Sequence, residues 1–229
     1  MKSGSLDMAG ASGMMPVTRF KTISTCLALL ALAACARDNE FDATGGVRVL
    51  RSACPAVAIP AYTGDVTLFN PPASRDARAI DVTATITNVR STCNDTGANL
   101  QATATFDVQA RRTNASGARE VVLPYFATVI RAGTKIVSKQ VGRVAVRFED
   151  GQLRASTTGS ATASVSRAAA TIPDEIERKI NRKRKAGDAD AAIDPMADPA
   201  VRAAVSQASF ELLVGFQLSE DQLAYNATR

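Results

Sequence analysis

Histidine and tryptophan are absent from this sequence, and aromatic residues make up only 5% of it. Without histidine, the chain lacks the commonest general base and the commonest metal ligand of proteins. The sequence after residue 34 also lacks Gly-x-Ser-x-Gly, Ser-x-x-Lys and phosphate-binding Gly-Lys motifs. These absences argue against most familiar enzyme classes, and we expect no catalysis, no cofactor and no bound metal.

A strong charge of one sign is also lacking. The 27 basic and 22 acidic side chains leave a formal net charge of +5, and part of that excess lies in the first 34 residues. So small an excess gives no electrostatic footprint for nucleic acid. We therefore expect no nucleic-acid partner.

Long apolar runs are missing except for one short run near the N-terminus. It extends over thirteen residues from Thr22 to Ala34, whereas crossing a bilayer takes about twenty. Arg19 and Lys21 precede it, and small residues followed by polar ones end it. This layout is typical of a secretory signal, so we expect residues 1–34 to be removed.

The end of the run, Leu32-Ala33-Ala34-Cys35, resembles the lipobox of bacterial lipoproteins. The resemblance implies that Cys35 is acylated and becomes the first residue of the mature protein, with two or three acyl chains as a stable anchor. Ala36 in the next position, rather than aspartate, implies sorting to the outer membrane. Residues 35–46 lack periodicity and end in Gly-Gly, which predicts a flexible tether.

Two cysteines remain once Cys26 is lost with the signal and Cys35 carries lipid. Cys54 and Cys93 both lie at predicted strand edges beside turn residues. In an oxidising compartment we expect them to form a disulfide. It would close a loop of about forty residues and contribute roughly 3–4 kcal/mol. The alternative is a pair of buried free thiols.

Alternation of apolar and polar residues dominates residues 47–229, which we interpret as a single β-rich domain. The pattern predicts a mainly all-β fold, either an antiparallel β-sandwich or a strongly curved sheet, with about eight strands and short helices near the C-terminus. The phrase Pro124-Tyr125-Phe126 either lines a groove or, as we favour, belongs to the core. The predicted strands are Val47–Leu50, Asp65–Phe69, Ile80–Thr87, Leu100–Arg111, Val121–Ile130, Ile136–Phe148, Leu153–Val165 and Phe210–Leu218.

Residues 173–206 interrupt the alternation and predict a helical and linker excursion between two strands. A helix is expected to open at Pro173, with acidic residues in its first turn and basic residues towards its end. Glu175 and Lys179 have the i to i+4 spacing of a helical ion pair. Four of the basic residues, Arg182, Lys183, Arg184 and Lys185, are a candidate contact for anionic lipid headgroups. The alternative is the solvated end of an exposed helix. Asp198-Pro199 in this excursion predicts the cap and first turn of a second short helix.

A last short helix is predicted near the C-terminus, because Ser219-Glu220-Asp221-Gln222 fits a capping box. We expect Leu223 and Tyr225 to dock this helix on the sheet.

Several phrases resemble a group of uncharacterised alphaproteobacterial lipoproteins. They are Cys54-Pro55, Gly64–Phe69, Leu123–Phe126, Val214–Ser219 and Gln222–Asn226. The resemblance implies a compartment and one β-rich domain, and it implies no chemistry.

These observations predict a lipid-anchored protein of the bacterial cell envelope that faces the periplasm. We expect a non-catalytic binding or structural module, with the membrane as one partner and an envelope protein as a candidate second partner. One alternative is a carrier that holds lipid or another hydrophobic ligand in a sheet-enclosed pocket. The other is an enzyme of unfamiliar type, for which Asp81 and Asp107 on neighbouring strands are the candidate carboxylates.

Overall fold

A computed structural model of the protein describes residues 52–228, apart from residues 183, 186 and 190. Eight strands and four α-helices lie in this part of the chain. The strands are β1 (Ala56–Ala58), β2 (Asp65–Phe69), β3 (Ile80–Asn94), β4 (Asn99–Arg112), β5 (Arg119–Arg131), β6 (Lys135–Phe148), β7 (Arg154–Ser166) and β8 (Phe210–Phe216). The helices are α1 (Arg167–Ala170), α2 (Asp174–Ile180), α3 (Pro199–Gln207) and α4 (Glu220–Thr228).

The strands form two four-stranded sheets, with the order β1-β8-β5-β6 in the first sheet and β2-β3-β4-β7 in the second. Every pairing is antiparallel except that of β1 with β8. The fold is therefore the predicted mainly all-β fold of about eight strands, with one sheet strongly curled. The strand predicted at Val47–Leu50 lies outside the described residues, and the three-residue β1 was not predicted.

The core lies between the two sheets and follows from the alternation in the sequence. In β4 every second residue from Leu100 to Ala110 is buried, and the residues between them are exposed or half-buried. β6 and β8 contribute the facing layer. Six fully buried side chains illustrate it: Leu100, Phe106 and Val108 from the second sheet, and Val146, Phe148 and Leu212 from the first.

Two aromatic rings fill the space above glycines on neighbouring strands. Phe106 lies over Gly159, and Tyr125 lies over Gly142, so that a Cβ on either glycine would come within 2.4 Å of ring carbon. The two rings meet edge to face across the sheets, with centroids 5.2 Å apart. The Tyr125 hydroxyl also donates a hydrogen bond of 2.6 Å to the carbonyl oxygen of Ser160. Tyr125 therefore belongs to the packing between the sheets rather than to a groove.

The Cys54–Cys93 disulfide is present, which confirms the predicted pairing, and the two Cα atoms are 6.2 Å apart. Cys54 lies two residues before the start of β1 of the first sheet, and Cys93 lies near the end of β3 of the second. The bond thus connects the two sheets covalently. Cys93 lies in the part of β3 that follows Thr85, the last residue of β3 that pairs with β2.

The connection between β7 and β8 contains α1, α2, a short 3-10 helix and α3. The α2 helix is shorter than predicted: it ends at Ile180, so the basic cluster lies beyond it. Lys179 forms an ion pair with Asp198 of the following helix cap instead of with Glu175 one turn earlier. Asp198 also accepts a hydrogen bond from the Ala200 amide, which caps α3 as expected from the Asp-Pro pair.

The C-terminal helix α4 begins with the predicted capping box. The Ser219 amide donates to the Gln222 side chain, and the Gln222 amide donates to the Ser219 hydroxyl. Tyr225 packs edge to face against Phe69 with centroids 5.1 Å apart, as expected, whereas Leu223 is exposed. The contact that the sequence did not predict is Asn226, which is buried and donates to the carbonyl oxygens of Tyr62 and Asp65.

Candidate functional surfaces

The predicted lipid-attachment residue, Cys35, lies outside the described residues. Among the residues that the structure describes, no helix is long and apolar enough to cross a membrane. The predictions of a signal, an anchor and a tether therefore remain predictions.

The two candidate carboxylates are not brought together. Asp107 lies opposite Thr87 in the β3–β4 register, six residues along the strand from Asp81, which corresponds to about 20 Å. Asp107 accepts hydrogen bonds from Asn88 and Thr158 on the neighbouring strands. The interpretation of both residues as part of solvated strand faces fits these positions better than a shared acid–base site.

Asp81 instead forms a two-pronged ion pair with Arg119, the first residue of β5. The guanidinium donates to the two carboxylate oxygens at 2.8 and 2.6 Å, and so joins the second sheet to the first. Hydrogen bonding from Arg119 lowers the pKa of the Asp81 carboxyl below its ordinary value of 3.8. The Arg119 side chain is 45% exposed and the Asp81 side chain 16%, so water weakens the attraction.

Replacing Asp81 with asparagine is expected to lower the free energy of unfolding at pH 7 by about 0.5–1 kcal/mol. Because the pKa is lower in the folded state, the pair stabilises the protein above the ordinary carboxyl pKa. That stabilisation is lost as the pH falls through the folded value. Urea unfolding of wild type and Asp81→Asn should therefore differ at pH 7 and converge in acid, below the folded pKa. Glu120→Gln, an exposed neighbour of the pair, is the control and should have little effect; a gap that persists in acid would contradict the assignment.

The predicted basic cluster lies in the loop after α2. Arg182 and Lys185 are exposed, Arg184 is half-buried, and Lys183 lies outside the described residues. An Arg184 guanidinium nitrogen lies 3.4 Å from the Lys179 carbonyl oxygen, while the Lys185 amide donates to Asp188. The three described residues of the cluster therefore belong to a loop rather than to the end of a helix, and the contact of the cluster with lipid headgroups remains a prediction.

A buried arginine is the main structural feature that sequence reasoning missed. Arg112, the last residue of β4, is only 1% exposed. Its guanidinium donates four hydrogen bonds of 2.7–2.9 Å, and it lies 5.2 Å from the centre of the Phe148 ring. The four acceptors are the main-chain carbonyl oxygens of Ala115, Gly117, Glu149 and Gln152.

Those four carbonyls belong to two different loops, the β4–β5 loop and the β6–β7 loop. Both loops cross between the sheets, because β4 and β7 belong to the second sheet and β5 and β6 to the first. The loops also contact each other directly: the Gly151 amide donates to the Ala115 carbonyl, and the Gly117 amide donates to the Asp150 side chain. The geometry gives Arg112 a structural role, since its guanidinium faces backbone carbonyls rather than an open site.

A second unpredicted feature is the exposed apolar surface of β5 and β6. Four aliphatic side chains there are at least half exposed: Val122 (50%), Ile136 (65%), Val137 (50%) and Val141 (61%). β6 ends the first sheet, and in the described part of the chain it pairs only with β5. Residues 135–141 of β6 are all exposed. This differs from the expectation for an alternating strand, which buries one of its two sides.

Surface depressions offer little enclosure. One open depression lies beside α1 and the start of α2, and its lining includes Ala98, Arg167, Ile172 and Asp174. It is on the outside of the sandwich and not between the sheets. In the described residues no group of three or more histidine, cysteine, aspartate or glutamate side chains is placed to hold a metal ion.

Comparison with known proteins adds no relative: no family model, curated protein or solved structure matches the chain. The resemblance of its phrases to alphaproteobacterial lipoproteins therefore remains a prediction.

Proposed function

We propose that this chain is an envelope lipoprotein that is anchored through Cys35 and faces the periplasm from the outer membrane. Its folded domain serves as a non-catalytic binding or structural module. In this proposal residues 1–34 direct export and are removed, and residues 35–46 separate the domain from the bilayer. The acyl chains on Cys35 are the anchor.

The Cys54–Cys93 disulfide is the observation that carries this proposal. Disulfides persist in exported proteins and are rare in reducing cytosols. A paired cysteine in the folded domain therefore agrees with the secretory layout of the N-terminal segment, which is an independent feature of the sequence. Neither observation alone would be as specific as the two together.

The packed interior favours a module over a carrier. A carrier of hydrophobic ligands requires space between its sheets, but Phe106, Phe148 and Leu212 fill that region and are at most 1% exposed. An interaction module needs no such cavity, because it presents its outer surface. The enzyme alternative has no support from Asp81 and Asp107, which the strand register separates.

Replacing Cys35 with serine is the direct test of anchoring. In cells given labelled palmitate, the wild-type chain is expected to incorporate label and to fractionate with the outer membrane. Cys35→Ser is expected to incorporate none and to accumulate as the longer precursor, because the acyl acceptor is missing. Gel migration, label and membrane fractionation are the three measurements.

Cys26→Ser is the matched control, because Cys26 lies inside the segment expected to be removed and should not matter. Unchanged processing and fractionation of Cys35→Ser, together with a wild-type chain that takes up no label, would overturn the proposed anchoring.

A further inference from the structure

The outward face of β5 and β6 combines exposed aliphatic side chains with basic ones. β6 carries four basic residues and no acidic residue; the basic ones are Lys135, Lys139, Arg143 and Arg147. Val122 of β5 lies on the same face as Val141, because it is directly opposite Ala145 in the register and Ala145 alternates with Val141.

A register shift brings a further aliphatic side chain to this face. The shift lies between Val129 and Ile130, and it places Ile136 opposite Ile130, which alternates to the same side of β5 as Val122. Lys135 lies opposite Arg131, which is on the other side of the sheet together with Val129, so it is not part of this face. We call the following set of residues the β5–β6 face: Val122, Ile136, Val137, Lys139, Val141 and Arg143.

The charges of the β5–β6 face are not neutralised nearby. Arg147, at the far end of β6, has Glu149 as its partner at 3.2 Å. By contrast, Lys139 lies 5.4 Å from the centre of the Phe126 ring, and no acidic side chain pairs with Lys139 or Arg143 in the described part of the chain. Glu120, on the same side of β5 as Val122, lies opposite Arg147 and not opposite Arg143. Within the described part, the face presents two cations among aliphatic groups, each without an acidic ion-pair partner.

The outward face of the second sheet is different and serves as an internal comparison. Its exposed positions are mostly threonine, serine and glutamine, with charged residues such as Arg111 and Arg154 among them, and Asp107 is hydrogen-bonded to its neighbours. Among the described residues, no large apolar side chain of β2, β3, β4 or β7 is exposed. That surface is an ordinary solvated one. Lysines often protect an edge strand from unwanted pairing, but such protection does not account for exposed valines on two adjacent strands.

The arrangement selects among possible occupants. A second copy of β6 added at the free edge would bring its own lysines and arginines beside these, and like charges opposite each other are destabilising. An acidic peptide added as a new strand would cover β6 but would leave Val122 uncovered on β5. A flat anionic surface covers the aliphatic and basic groups together, since cations meet the headgroups and aliphatic side chains meet the boundary of the acyl region.

We propose that the β5–β6 face docks on an anionic lipid bilayer, with phosphodiester headgroups of the phosphatidylglycerol type as the ligand of Lys139 and Arg143. This inference deepens the proposed function, because an acyl anchor would hold the domain close to a bilayer and this face would orient it there. It names a surface different from the loop of Arg182–Lys185.

The absence of tryptophan allows a site-specific test in the whole chain. Val141→Trp places a single indole on the β5–β6 face, and Val137→Trp is a second probe of it. The protein, isolated with whatever anchor it carries, is combined with vesicles of phosphatidylglycerol or of phosphatidylcholine. We expect the indole emission to shift to shorter wavelength, and to be quenched by brominated lipid, only with phosphatidylglycerol. Gln109→Trp on the second sheet is the control and should not respond to either vesicle.

A charge variant measures the contribution of the cations. Lys139→Gln and Arg143→Gln, combined in the Val141→Trp protein, should lower its docking constant about twenty-five-fold, at about fivefold for each basic side chain near an anionic surface. Arg111→Gln and Arg154→Gln together remove the same charge from exposed positions of the second sheet. This matched control should change docking by less than threefold, about the effect of half of one well-placed charge.

Each outcome has a defined meaning. If neither vesicle changes the indole emission, the proposal is overturned, and edge protection is left as the role of the lysines. An equal shift with both vesicles also overturns it. A shift with polyglutamate but none with phosphatidylglycerol overturns it in favour of an acidic polypeptide. Palmitate labelling at Cys35 is measured separately, so failure of the anchor and failure of the docking face are distinguishable.

Discussion

Replacing Arg112 with alanine is expected to lower the free energy of unfolding by about 3–5 kcal/mol, the largest effect of any single substitution proposed for this protein. The substitution removes four partly buried hydrogen bonds from a charged donor to main-chain carbonyls. It leaves those carbonyls without their guanidinium partner and creates a cavity beside Phe148. Because the carbonyls belong to two loops, both crossings between the sheets lose their common support.

Urea unfolding at pH 7 measures the effect. Arg111→Ala is the control: it removes the same side chain from the adjacent exposed position of β4 and should change stability by less than about 0.5 kcal/mol. Arg112→Lys keeps the charge but loses the planar five-donor geometry, so it should recover only part of the loss. A loss of less than about 1 kcal/mol in Arg112→Ala would show that the loops hold their conformation without the guanidinium.

The side of β4 on which Arg112 lies could have been predicted from the alternation, whereas its burial and its partners could not. The inward series of β4 runs through Phe106, Val108 and Ala110, and the next member is residue 112. Arginine at that position contradicts the usual rule that charged residues face water, so the pattern of apolar residues predicts burial only as far as Ala110. Only the meeting of two loops, separated by more than thirty residues of sequence, supplies the carbonyls that make burial possible.

The same distinction between local and distant contacts explains the errors around α2. The acidic start of this helix at Asp174 is local and was predicted, as was the aspartate cap of α3 at Asp198. The partner of Lys179 was not, because Asp198 is nineteen residues away in sequence while Glu175 is one turn away. Local spacing makes an i to i+4 pair available, but a better-placed acceptor from the tertiary fold takes precedence.

The β5–β6 face illustrates a different limit. Alternation in β6 predicts a strand with one apolar side, and its second half, from Val144 to Phe148, follows that pattern. The exposure of Ile136 and Val137 depends instead on which strand ends the sheet, and hence on the order β1-β8-β5-β6. Strand order is set by long-range pairing that no local pattern encodes. The candidate surface could therefore be recognised only after the strands were assembled.

Removing the disulfide is expected to have the second-largest effect. The double variant Cys54→Ser, Cys93→Ser should lower the free energy of unfolding by roughly 3–4 kcal/mol, because the unfolded chain regains the freedom of the loop between the two positions. The cysteines are 39 residues apart in sequence. The folded state should respond locally as well. β1 pairs with β8 over only three residues, 56–58, and the disulfide is two residues before it.

Hydrogen exchange and urea unfolding, each with and without dithiothreitol, separate these two contributions. In the wild type, dithiothreitol should lower the free energy of unfolding to that of the double variant. The free energy of unfolding of the variant should be the same with and without dithiothreitol. Exchange should rise first at β1 and at the end of β3, where residues 91–94 are exposed, while the amides of β4 in the centre of the second sheet stay protected until global unfolding. Equal loss of protection in β1 and β4 would contradict a local role. A variant as stable as the oxidised wild type would show that the sheets need no covalent link.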